Sequence, residues 1–125
     1  MKNRTTMRCC ILAMLLFASA AHAQPNRLAD MPAQERAQLQ TQRMKESLKL
    51  DSAQVVKVDS INLSYARKMD PVLSGSGNRL SKLRAFQEIN AAREKELQQV
   101  LSPAQFRQYK QQQQEMKQQL RKRRS

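Results

Sequence analysis

Histidine and cysteine are nearly missing from this chain, and the few copies sit where they cannot serve a folded domain. One histidine (His22) and two cysteines (Cys9 and Cys10) occur in 125 residues. All three fall inside an N-terminal export signal. Lys2, Arg4 and Arg8 form its positive start, Ile11 to Ala18 its apolar run, and Ala21-His22-Ala23 its small-x-small site, a pattern that predicts cleavage before Gln24. Both cysteines precede the apolar run, so neither can be a lipid-modified cysteine. The remaining chain then has no thiol and no imidazole. That excludes disulfide stabilisation, the usual zinc sites, and the Cys-His and Ser-His nucleophile arrangements. No Ser-x-x-Lys occurs either, since the nearest approaches, from Ser64 and Ser81, place Arg67 and Arg84 where the lysine would stand. The chain is not expected to be an enzyme, and no cofactor or metal is expected.

Other scarcities narrow the class further. Tryptophan is absent and aromatic residues make up 4% of the chain, which leaves little for stacking on bases, and export argues against nucleic acid as a partner. Beyond the leader no apolar run approaches the roughly 18 residues that a membrane-crossing helix needs. Acidic residues are outnumbered, 10 against 23 basic ones. Removing the three basic residues of the leader leaves 20 against 10, a charge of +10. An exported periplasmic protein of this charge favours anionic partners.

What is present is helical periodicity. Asp30 is a candidate cap for a first helix starting near Met31-Pro32, with Ala37, Thr41, Met44 and Leu48 along one stripe. A second helix is predicted from Ser52 to about Met69, with Val55, Val58, Ile61, Tyr65 and Met69 as its apolar line. Asp70-Pro71 disfavours its continuation, and Ser74-Gly75-Ser76-Gly77-Asn78 holds the only two glycines, marking a reversal. A third helix follows from Arg79 or Leu80, with Leu80, Leu83, Phe86, Ile89 or Asn90, Leu97 and Val100 apolar; between them Arg84, Glu88, Arg93, Glu94, Lys95 and Glu96 form a mixed-sign surface, with Arg84 and Glu88 spaced for an ion pair. In the fourth, Phe106, Tyr109, Gln113, Met116 and Leu120 form a coiled-coil-like seam. The basic run from Arg121 to Arg124 suits a helix C-terminus, where the dipole favours cations.

One device occurs twice. Leu50-Asp51-Ser52-Ala53-Gln54 is matched by Leu101-Ser102-Pro103-Ala104-Gln105. In each, Asp51 or Ser102 can cap a helix while Gln54 or Gln105 reaches back to the cap residue, the two halves of a capping box. Leu50 and Leu101 precede the caps and can staple onto Val55 and Phe106 four residues into each helix. Pro103 suits the first helical position.

A Leu-x-x-x-Gln helix start, twice, in an exported basic helical chain of this length resembles the Spy/CpxP family of periplasmic proteins, named for a Leu-Thr-x-x-Gln motif. Asp51 and Ser102 stand at the threonine position, and both are competent caps. The architecture expected is all-α: residues 1–23 a leader, and residues 24–125 one domain of about four helices. They form an extended, bent helical hairpin with a basic tail over 121–125. Such a hairpin buries little apolar surface, at roughly 0.8 kcal/mol per methylene against 1 to 2 kcal/mol per ordered residue, so a homodimer is expected. The resemblance implies a curved dimer whose concave basic face binds unfolded or partly folded envelope proteins without ATP. Candidate contacts are Arg43, Met44, Lys57, Ile61, Arg67, Lys68 and Arg84; for Met44 and Ile61 ordinary helix packing is an equal reading. Two alternatives accompany it: a regulatory module that docks on an acidic sensor domain, and an accessory protein holding anionic lipid or polysaccharide through its basic tail.

Overall fold

The computed structural model describes residues 30–124, and these form four helices without a strand: α1 (Ala33–Leu48), α2 (Ser52–Ser74), α3 (Arg79–Val100) and α4 (Pro103–Arg124). The expected leader, its cleavage site and the arm from Gln24 to Ala29 lie outside the described residues. The all-helical class and the four elements are as expected.

α1 starts later than the sequence implied. Its N-cap position is Pro32, which makes no side-chain cap, so Asp30 does not serve. Instead Arg36 of the first turn donates through Nη1 to Met31 O at 2.5 Å. At its other end, Lys49 adopts the left-handed conformation (φ 55°, ψ 50°) and Leu50 N closes onto Lys45 O at 3.2 Å. Residues other than glycine adopt this conformation at a cost of about 1 to 2 kcal/mol.

α2 also departs from expectation by running through Asp70-Pro71 for one more turn, to Ser74. Proline in a helix interior removes a hydrogen bond and crowds the preceding turn. Here that turn is held from outside: Arg36 Nη2 donates to Ala66 O at 2.9 Å and pairs with Asp70. Ser74 Oγ bonds to Asp70 O (2.8 Å) and Gly75 N to Pro71 O (2.9 Å), closing the extra turn. A Cβ on residue 75 would lie 2.5 Å from Pro71 O, so this close approach needs glycine. Asn78 then caps α3 by accepting from Ser81 N at 2.8 Å.

Thr41 lies beside Asp59 and Asn62 while Arg36 lies beside Ala66 and Asp70, so α1 and α2 run antiparallel. Asn62 beside Arg93, and Gln54 beside Val100, give the same sense for α2 and α3. The chain therefore turns at both capping boxes as well as at the glycines, where the sequence marked only the last. α4 touches α1 and α3 near its own start: Gln108 Nε2 donates to Ser47 O (2.9 Å) and Lys110 pairs with Glu94 (2.6 Å).

One core cluster joins Met44, Leu48, Leu50, Val58, Leu97, Leu101 and Tyr109, with Val55, Ile61, Val100 and Phe106 packed against it. Both staple leucines and both of their partners therefore enter the same core. Val58 and Leu97 are fully buried, each contributing about 1.5 to 3 kcal/mol of transfer free energy.

Candidate functional site

The two capping boxes meet. Each forms as the sequence required: Gln54 N donates to Asp51 Oδ1 (2.8 Å) and Asp51 N to Gln54 Oε1 (3.2 Å), while Gln105 N donates to Ser102 Oγ (3.2 Å) and Ser102 N to Gln105 Oε1 (2.9 Å). The two glutamine amides then bond reciprocally. Gln54 Nε2 donates to Gln105 Oε1 at 2.7 Å, and Gln105 Nε2 to Gln54 Oε1 at 3.1 Å. Each amide spends its second proton on the last carbonyl of the other pair's first helix, Gln54 on Val100 O and Gln105 on Leu48 O, both at 3.1 Å. Both protons and both acceptor sites of each amide are engaged, in a pseudo-twofold arrangement. A capping box accepts glutamate as readily as glutamine. Only glutamine can also donate twice, so the pairing accounts for the residue type where capping alone does not.

Beside this junction lies a buried polar column. Arg93 is 5% exposed and donates from Nε (3.0 Å) and Nη2 (2.8 Å) to Asn62 Oδ1. With its amide turned so that oxygen faces the guanidinium, Gln40 accepts from Nη2 at 2.8 Å and Nη1 at 3.0 Å. Asn62 Nδ2 donates to Thr41 Oγ1 (3.0 Å) and to Met44 Sδ (3.8 Å). Arg93 thus ties α1, α2 and α3 together. Burial lowers its pKa, and the nearby Tyr109 and Glu94 oppose that shift. No buried side-chain nitrogen or oxygen lacks a partner among the described residues. Sequence reasoning placed Arg93 on a charged surface; its position one turn before Leu97 on the same helical face was the available signal.

The candidate client contacts do not converge. Met44 is buried at 6% exposure and sits in the core, so the packing reading holds for it and it leaves the candidate surface. Ile61 is half-buried against the core. Lys57, Ile61 and Lys68 recur at helical spacing and share one face of α2, while Arg67 falls about 100° away. Lys68 also lies 4.2 Å over the Tyr65 ring. Arg43 and Arg84 are exposed on α1 and α3. The expected Arg84–Glu88 pair does not form; the two ion pairs among the described residues are Arg36–Asp70 and Lys110–Glu94.

A different surface stands out. Leu80, Leu83 and Phe86, expected as packing positions of α3, are 57%, 50% and 48% exposed, and Leu73 at the end of α2 is 42% exposed. They flank the glycine turn, toward and past the level of Arg36 and Asp70 where α1 begins, and among the described residues no third helix covers them. Arg79 and Arg84 are exposed on the same stretch and Lys82 is half-exposed, without an acidic residue in α3 before Glu88. The hairpin tip is therefore apolar and cationic at once. The seam of α4 divides similarly: Tyr109 is buried, whereas Met116 and Leu120 are exposed.

Tyr65 Oη donates to the Glu96 carboxylate at 2.6 Å. That hydrogen bond, then burial and the carboxylate charge, raise the Tyr65 pKa. Tyr109 is also raised, chiefly by burial, with Arg93 opposing and Glu94 adding. Among the described residues no three His, Cys, Asp or Glu side chains converge so as to hold a metal ion, and no helix is long and apolar enough to cross a membrane.

No curated protein and no solved structure matches the chain. A family model, described as a domain of unknown function (DUF4890), matches residues 20–109, a span that includes both capping boxes, the hairpin tip and the buried column. The chain belongs to that family.

Proposed function

We propose that this protein is an ATP-independent chaperone of the periplasm, which holds unfolded or partly folded envelope proteins on the apolar, cationic tip of its α2–α3 hairpin. The observation that carries this reading is the exposure of Leu73, Leu80, Leu83 and Phe86 beside Arg79, Lys82 and Arg84. A folded chain that leaves four large apolar side chains in water on one end presents an interaction surface. The cations attract acidic segments at long range, and the leucines and phenylalanine give adaptable contact at short range. The resemblance of the paired Leu-x-x-x-Gln boxes to the Spy/CpxP motif, and the N-terminal export pattern, support the same reading. The tip replaces the scattered candidates: Arg84 belongs to it, while Arg43, Lys57, Arg67 and Lys68 contribute to the general positive field.

Light scattering by an unrelated aggregating protein tests this. An equimolar amount of the chain is expected to suppress scattering at low salt and to lose part of that effect as salt screens the cations. Absence of suppression at low salt would contradict the proposal. Selective binding to one acidic sensor domain, without general suppression, would favour the regulatory alternative.

A further inference from the structure

The positive charge of this protein is concentrated on one helix. α4 carries Arg107, Lys110, Lys117 and the run from Arg121 to Arg124 against Glu115 alone. Seven cations and one acid give +6, more than half of the +10 that remains beyond residue 23. Every residue from Gln114 to Arg123 is exposed, and Gln105, Gln108, Lys110 and Gln112, which bond α4 to the other helices, all lie in its first half. On this stretch Met116 (61% exposed) and Leu120 (52% exposed) lie one turn apart. At about 100° per residue, Lys117 and Arg123 sit about 60° to either side of Leu120.

We infer that the second half of α4 docks on an anionic bilayer surface. Laid flat in the headgroup plane, the helix places Met116 and Leu120 at the acyl boundary, while Lys117 and Arg123 extend along their aliphatic stems to lipid phosphates on both sides. The helix dipole alone does not account for the charge, because it favours cations only in the last turn, and Arg107, Lys110 and Lys117 lie earlier. A soluble polyanion would be met equally well by cations on any face and would have no use for an apolar pair between two of them. The bilayer uses both features. This inference stands on α4 and does not depend on the hairpin tip or on chaperone activity.

Co-sedimentation of the protein, as recovered from cells, with vesicles of mixed phosphatidylglycerol and phosphatidylcholine tests it. Binding is expected at low salt, with little binding to pure phosphatidylcholine. A cation near an anionic surface contributes about fivefold in partitioning, so Lys117→Gln/Arg123→Gln together are expected to weaken binding about 25-fold. Met116→Ser/Leu120→Ser is expected to weaken it at least tenfold. Both variants should melt like the parent, since these side chains are exposed, and a coincident melting curve excludes misfolding as the cause. No preference of the parent for anionic over zwitterionic vesicles would overturn the inference. So would unchanged vesicle binding by Met116→Ser/Leu120→Ser together with full competition by soluble dextran sulfate, which identifies a polyanion site.

Discussion

Replacing Gln105 by glutamate separates capping from pairing. Glutamate is nearly isosteric and keeps the acceptor that Ser102 N uses at 2.9 Å and the one that Gln54 Nε2 uses at 2.7 Å. It loses both donated bonds, to Leu48 O and to Gln54 Oε1, each at 3.1 Å, and sets a carboxylate against two oxygens. A net hydrogen bond contributes about 0.5 to 1.5 kcal/mol, and an unmet buried partner costs about 1 to 3 kcal/mol. The substitution is therefore expected to cost about 2 to 4 kcal/mol near neutral pH. With a urea dependence of about 1.5 kcal/mol/M, the unfolding midpoint falls by about 1.3 to 2.7 M. The pH dependence carries a second signature. The protonated acid can donate, so the folded state raises the carboxyl pKa above its unfolded value; stability is then present below the unfolded pKa and is lost as pH rises through the folded one. Acidification should thus narrow the gap between Gln105→Glu and the parent. A Gln54→Ala/Gln105→Ala cycle should show coupling of about 1 to 2 kcal/mol. If Gln105→Glu unfolds with the parent at neutral pH, the glutamine only caps, and the reciprocal pairing contributes nothing.

Three further outcomes follow from other parts of the fold. Lys49→Gly relieves the left-handed conformation at the end of α1 (φ 55°) and, after the entropy of an added glycine, should stabilise by about 0.5 to 1 kcal/mol in urea unfolding. Arg93→Met leaves Asn62 Oδ1 without its buried donor and should cost about 1 to 3 kcal/mol, whereas adding Asn62→Leu should recover most of that loss, because replacing both partners removes the orphan. Tyr65 and Tyr109, the only tyrosines, should both titrate above the ordinary phenol value of 10.0 in the folded protein when followed by near-UV absorbance. Because their folded pKa values are raised, the stability they contribute is whole below the unfolded pKa and is lost as pH rises through the folded values. Tyr65→Phe should remove its share of that alkaline loss.

Local chemistry was legible in the sequence, and contacts across the chain were not. Asp51, Gln54, Ser102 and Gln105 announced their capping boxes because a box is closed by residues three positions apart. That Gln54 faces Gln105 depends on how three helices stack, which spacing within either box does not contain. Pro71 read as a helix stop because the rule weighs only the local backbone; Arg36 holds that turn by pairing with Asp70, 34 residues further along the chain. Leu80, Leu83 and Phe86 matched a packing stripe, but α1 begins too late to cover them, and helix length against a neighbour is a tertiary fact. Arg93 looked like surface charge because its partners, Asn62 and Gln40, are neutral and come from other helices. Met44 showed its packing role through its place among Ala37, Thr41 and Leu48.

The proposed holding of unfolding proteins at the hairpin tip is tested most directly by comparing aggregation suppression by Leu80→Ser/Leu83→Ser/Phe86→Ser with that by Val56→Ser. Val56 is more exposed, at 70%, and lies near the start of α2, at the opposite end of that helix from the tip, so it controls for loss of any surface apolar group. The tip variant is expected to lose most of its suppression while melting with the parent, and Val56→Ser to keep it. Full suppression by the tip variant, or equal loss in both, would contradict the account.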